Sequence, residues 1–100
     1  MIRGTTPTHI FKLPFDVSEI KSAMVIYAQN DKEVLRKETG DCAMMGNNIV
    51  AILTQQDTLE FDHKYRVQIQ VRCLMDNGEA LASKVVKVPV GQCLNDEVLT

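Results

Sequence analysis

The sequence predicts one antiparallel β-sandwich of six to eight short strands. Three observations carry that expectation. The stretch YRVQIQVR, residues 65–72, alternates without a break, with Tyr65, Val67, Ile69 and Val71 in one phase and Arg66, Gln68, Gln70 and Arg72 in the other. A side-chain period of two means a strand with one dry and one wet face. Further short apolar runs follow one another with turn signals between them about every 8 to 12 residues, the rhythm of a sandwich. Finally, 100 residues make a single domain, residues 1–100, with room for one thin core.

Taken in order, residues 1–7 form a short polar arm. His9, Phe11, Leu13 and Phe15 then alternate with Ile10, Lys12 and Pro14, a first strand with an aromatic inner face. Pro14 cannot donate to a ladder, so this strand belongs at a sheet edge. DVSEIKSA offers Asp16 or Ser18 as a cap but is too short for an independent helix, so a single turn is expected. AMVIYAQ, residues 23–29, is apolar in both phases and suits a central strand. NDK is a turn, and KEVLRKE, residues 32–38, is the return strand of a hairpin.

TGDCAMMGNN reads as a loop in which Cys42, Met44 and Met45 cover the core edge. NIVAILT, residues 48–54, is a second central strand, and Thr54 and Asp57 stand in the relation of a capping box. One helical turn from Thr54 onward should carry the chain from one sheet to the other. Asn77-Gly78 marks a tight hairpin turn in which both residues accept positive φ, pairing residues 65–74 with 80–88. The tail QCLNDEVLT is amphipathic but short. The expected core contains Phe11, Leu13, Val25, Ile52, Val67, Ile69 and Val71, with Cys73 in the same inward phase.

Composition narrows the function. A net charge of −2 with scattered basic residues supplies no basic face for nucleic acid. No apolar run approaches the roughly 20 residues that span a bilayer, and MIRGTTPTHIFK lacks the apolar stretch of a signal peptide, so cytoplasmic synthesis without membrane insertion is expected. With no tryptophan and few aromatics, a stacking platform for sugars or bases is poorly supplied. The motifs GxSxG, HExxH and GxxxxGK[ST] are absent, and neither His9 nor His63 stands in motif spacing to a nucleophile. Three cysteines, Cys42, Cys73 and Cys93, match neither a disulfide framework nor a metal knuckle and read as reduced thiols. Asp57, Glu60, Asp62 and His63 form the densest acidic cluster, without calcium-loop spacing, and read as a solvated corner. No catalytic, cofactor-binding or metal-binding residue is therefore assigned. Met24, Met44, Met45 and Met75 suit gap-filling more than a binding face. The doubly apolar strand leaves Met24, Ile26 and Ala28 as the candidate partner-contact residues.

The order of features is also specific. TPTHIFKLPFDVSEIKSAMVIYAQNDKEVL, then LTQQDTLEF, then VQIQVRCLMDNGEALASKVVKV, resembles small proteins of phage and prophage structural modules from low-GC Gram-positive bacteria. It is similar to the immunoglobulin-like N-terminal domain of the phage baseplate upper protein family, over nearly the whole chain. The resemblance implies an immunoglobulin-like sandwich that is a non-catalytic tail or baseplate piece, or an adaptor holding another virion protein. It implies other virion or tail proteins as partners, homo-oligomers as an option, bacterial cytoplasm as the place of synthesis and the virion as destination. Residues 23–29 hold no cysteine to pair with Cys73, which implies a disulfide-free member. The alternative is a binding module of a larger surface protein or sugar-active enzyme.

Overall fold

The computed structural model describes residues 1–100 as two antiparallel sheets packed face to face. The strands are β1 (Thr8–Lys12), β2 (Ile20–Gln29), β3 (Lys32–Glu38), β4 (Cys42–Met45), β5 (Asn48–Ile52), β6 (Val67–Met75), β7 (Ala80–Ala82) and β8 (Val86–Val88), with one helical turn, α1 (Gln55–Leu59). The small sheet has the order β1-β5-β4; the large one runs β3-β2-β6, with β7 and β8 both paired to the far side of β6. With β1 taken as strand B, these are the B-E-D and C′-C-F-G orders of an immunoglobulin-like sandwich whose small sheet lacks strand A. The N-terminal arm instead makes an isolated parallel bridge, Ile2 with Gly91, beyond the end of β8. A Cβ at Gly91 would lie 2.9 Å from the Ile2 Cγ1 atom, so the close approach depends on glycine.

The core lies between the sheets. Ala23, Val25 and Tyr27 of β2 meet Val67, Ile69, Val71 and Cys73 of β6 in one buried layer, with Ile49, Ala51 and Leu53 opposite. β1 is an edge strand, as expected, but it ends at Lys12, so Pro14 lies outside it and is not what places it there; Phe11 on β1 and Leu13 just beyond it pack on the core. Local chemistry sets the connections. Asp16 accepts the Ser18 N–H at 2.8 Å and caps a single 3-10 turn, Val17–Glu19. The hairpin from β2 to β3 turns through Asn30 and Asp31, both at positive φ, as a type I′ turn requires. The α1 turn carries the capping box read from Thr54 and Asp57: Thr54 Oγ1 accepts the Asp57 N–H at 3.1 Å, and Asp57 Oδ2 accepts the Thr54 N–H at 2.8 Å. It crosses from the small sheet to the large one.

Several expectations are corrected. Residues 42–45 form a strand, β4, where a loop is expected; a hairpin onto β5 gives CAMM a ladder its short sequence does not advertise. Cys42 and Met44 lean on the core, but Met45 points away and is 64% exposed. Ile52 is outside the core, 58% exposed, because β5 turns Ile49 and Ala51 inward, and Leu53 follows just past its end in the same phase. Its run is apolar in both phases, so periodicity does not choose between them. Tyr65 is also exposed, since β6 begins only at Val67. The buried Gln29 holds that approach in place: its Nε2 donates to the carbonyls of Asp62 at 2.7 Å and Tyr65 at 3.0 Å. The return strand 80–88 is broken into β7 and β8 at Ser83, whose hydroxyl accepts the Val71 N–H at 3.0 Å.

The Asn77-Gly78 turn is real, but only Gly78 has positive φ, at 88°. Gly78 N–H donates to the Met75 carbonyl at 2.9 Å, and Met75 N–H to that of Glu79 at 2.8 Å. That is the three-residue loop with a left-handed glycine, not the two-residue turn.

Val67→Asp should place an unpaired charge among fully buried side chains and remove the cooperative thermal transition, since such a domain has only about 5–15 kcal/mol to lose. Gly78→Val meets no side chain but forces a β-branched residue to positive φ; chemical denaturation should show a loss of about 1 kcal/mol or more.

Candidate interaction surface

Met24, Ile26 and Ala28 all lie on the outer face of the large sheet, in its central strand, and all three are half-buried. The register explains why they are covered. On one side Met24 faces Glu38, Ile26 faces Arg36 and Ala28 faces Glu33. On the other side stand Arg72, Gln70 and Gln68. Arg36 is held at 2.9 Å from Glu33 and 3.6 Å from Glu38, so its long side chain lies along a charged row beside the apolar one. Long polar side chains cover apolar surface with their stems in this way. The predicted contact residues are therefore brought together, but as a narrow seam between two polar rows.

The outer face of the small sheet is different. Its outward phase consists of Thr8, Ile10 and Lys12 on β1, Asn48, Val50 and Ile52 on β5, and Ala43 and Met45 on β4. Ile10 stands opposite Val50, and Val50 opposite Ala43, in one apolar row across all three strands. Ile10 is 63% exposed, and Ile52 and Met45 match it. Lys12 is the only ionisable group in this set. The sequence signal for this face was the same apolar-in-both-phases pattern that marked residues 23–29, present again in NIVAILT.

Polar chemistry inside the sandwich serves to join the sheets. Tyr27 is fully buried on β2, and its hydroxyl lies 2.7 Å from the Nδ1 atom of His9 on β1. Burial, with a smaller contribution from the N-terminal ammonium, holds the His9 imidazolium below its ordinary range, while burial pushes the Tyr27 phenol up. The pair is thus a hydrogen bond between a phenol hydroxyl and an imidazole nitrogen, its direction set by the His9 tautomer. Lys37 points inward from edge strand β3 and meets Asp57 of α1 at 2.8 Å. Burial pushes the Asp57 carboxyl up, but Lys37 and the Thr54 N–H outweigh it and hold the group below the usual carboxylate range.

The rest of the acidic cluster is dispersed. Asp62 Oδ1 accepts the Lys64 N–H at 2.9 Å, and His63 lies 3.9 Å from the same oxygen. Cys42, Cys73 and Cys93 are all free thiols. Burial pushes the Cys42 and Cys73 thiols up, away from the thiolate that a nucleophile requires. A side slot of about 320 Å³ between Leu13, Phe15, Val71 and Leu81 is lined mostly by apolar groups and brings no acid and base together. No helix is long and apolar enough to cross a membrane. Comparison of the chain with protein-family models, with curated proteins and with solved structures finds no match.

The His9 pairing gives a signed pH dependence. The folded state resists protonating His9, whereas the unfolded chain takes up that proton near the ordinary value of 6.5. Its contribution is complete above that pH and is lost as pH falls below it toward the folded value. Denaturation midpoints measured between pH 7.5 and 5 (a range of about 2.5 units around the imidazole value) should fall on the acid side. His9→Gln should flatten that part of the profile.

Proposed function

We propose that this chain is a non-catalytic structural or adaptor module of a phage-like particle, acting by protein–protein contact through the outer face of its small sheet. The observation that carries the contact reading is the apolar row Ala43–Val50–Ile10, flanked by exposed Ile52 and Met45, with a single lysine among the outward residues. Isolated exposed apolar side chains are ordinary, but a contiguous set on one flat sheet face is how a contact surface is built. The large sheet supports the same reading by contrast, since its outer apolar seam is fenced by Arg36, Glu33 and Glu38. The particle and the tail or baseplate setting rest on the resemblance of residues 6–35, 53–61 and 67–88 to the immunoglobulin-like domain of baseplate upper proteins. The partner is accordingly another virion protein that presents an apolar patch.

Ile52→Asp tests the reading, because the side chain already faces outward and its replacement should shift stability by no more than about 0.5 kcal/mol. Co-expression with the products of adjoining genes, followed by affinity purification, should yield a complex with the native chain and none with the variant. Equal recovery with both would remove this face from the function. A small-molecule turnover abolished by His9→Gln or by changing one cysteine would replace the adaptor reading with an enzymatic one.

A further inference from the structure

We infer that the open edge of β1 pairs with the same edge of a second copy, joining two small sheets into one six-stranded sheet about a two-fold axis at Ile10. This does not depend on which protein the apolar face binds. The hydrogen-bond phase of β1 decides which groups are free. Pro7 accepts the Leu53 N–H at 3.0 Å, and Leu13 donates to the Asn47 carbonyl at 2.8 Å. Between them the register runs unbroken, with His9 opposite Ala51 and Phe11 opposite Ile49. In an antiparallel ladder, residues alternate between facing the partner strand and facing away. Pro7, His9, Phe11 and Leu13 therefore turn their backbone groups to β5, and Thr8, Ile10 and Lys12 turn theirs outward. No strand lies beyond β1, where an immunoglobulin-like sheet would carry strand A.

The other edges are protected. β3 carries the inward-pointing Lys37 together with Lys32, Glu33, Arg36 and Glu38. β7 and β8 are three residues each, separated by a break from Ser83 that holds Lys84, and β8 carries Lys87. β4 has only four residues. Charges, interruption and shortness are the ordinary means by which edges avoid pairing. The β1 ladder, continuous from Pro7 to Leu13, has one lysine.

A second copy fits this edge because the edge is self-complementary. Centred on Ile10, antiparallel pairing sets Ile10 against Ile10, and Thr8 against Lys12, so that no lysines oppose each other. Every outward N–H of one strand then meets an outward carbonyl of the other. The next outward position would set Thr6 against Pro14, which has no N–H, so pairing ends there. The apolar row also continues across the axis, from Ala43 through Val50 and Ile10 into the second Ile10, Val50 and Ala43. Such a contact is isologous and closed, so it stops at two copies.

The test is the mass of the intact chain by sedimentation equilibrium up to millimolar concentration, with disulfide trapping to read the register. Twice the monomer mass is expected. Ile10→Pro removes only an outward-facing donor, so the monomer's own ladder is spared, and dimerisation should weaken by about tenfold or more through the interchain hydrogen bonds lost. Ile10→Cys alone should give a cross-linked dimer on mild oxidation, located by mass spectrometry of a non-reduced digest. Thr8→Cys and Lys12→Cys should cross-link when mixed with each other and not when alone. A monomer at every concentration overturns the proposal, as does a dimer in which Thr8→Cys links to itself as readily as Ile10→Cys does. The trapping variants keep the question decidable even if Ile10→Pro fails to fold.

Discussion

The pairing of β2 with β6 is the constraint on which the rest of the molecule depends. These are the two longest strands, and their register sets Ala23 opposite Cys73, Val25 opposite Val71 and Tyr27 opposite Ile69. That single ladder supplies one wall of the core. The second wall is a sheet of three short strands that could not bury itself alone. Its position is set by what β2 presents to it, chiefly Tyr27. A buried hydroxyl left without a partner costs about 1–3 kcal/mol, so the pairing with His9 selects where β1 can sit. The Lys37–Asp57 pair adds a second polar link, where β3 meets α1.

Magnitudes separate the two outer faces. The ion pairs of Arg36 with Glu33 and Glu38 are exposed, and pairs of that kind contribute about 0–1 kcal/mol. Their effect is better understood as keeping β3 soluble and its edge unpaired. Full burial of one exposed isoleucine or methionine is worth about 1.5–3 kcal/mol. Ile10, Ile52 and Met45 together therefore represent a larger unused free energy than any polar contact on the surface. The same comparison favours association through the small sheet.

The architecture and much of its local detail were legible in the chain. Thr54 and Asp57 mark the α1 cap, and the alternation of residues 67–71 marks the inward face of β6. The errors fall where residue chemistry is indifferent between states. Residues 48–54 are apolar in both phases, so their pattern does not tell that Ile52 faces outward while Ile49, Ala51 and Leu53 face the core. CAMM has no signature as a strand and becomes one through its ladder with β5. Asn77 and Gly78 permit two hairpin geometries, and Asn77 adopts the one in which its side chain accepts the Glu79 N–H at 2.9 Å. The contact surface was legible only as a pattern. The rule that found Met24, Ile26 and Ala28 does not register that Arg36, Gln70 and Arg72 flank them from other strands.

The sequence by itself determined the strand period of β6 and the caps, because each depends on residues a few positions apart. The tertiary structure decided which phase of β5 is buried, which apolar row stays open to solvent, and that His9 meets Tyr27. Those outcomes depend on neighbours supplied by strands distant in the chain: β5 joins β1 to β4 across about 40 residues of sequence, and a period of two cannot say which sheet lies opposite.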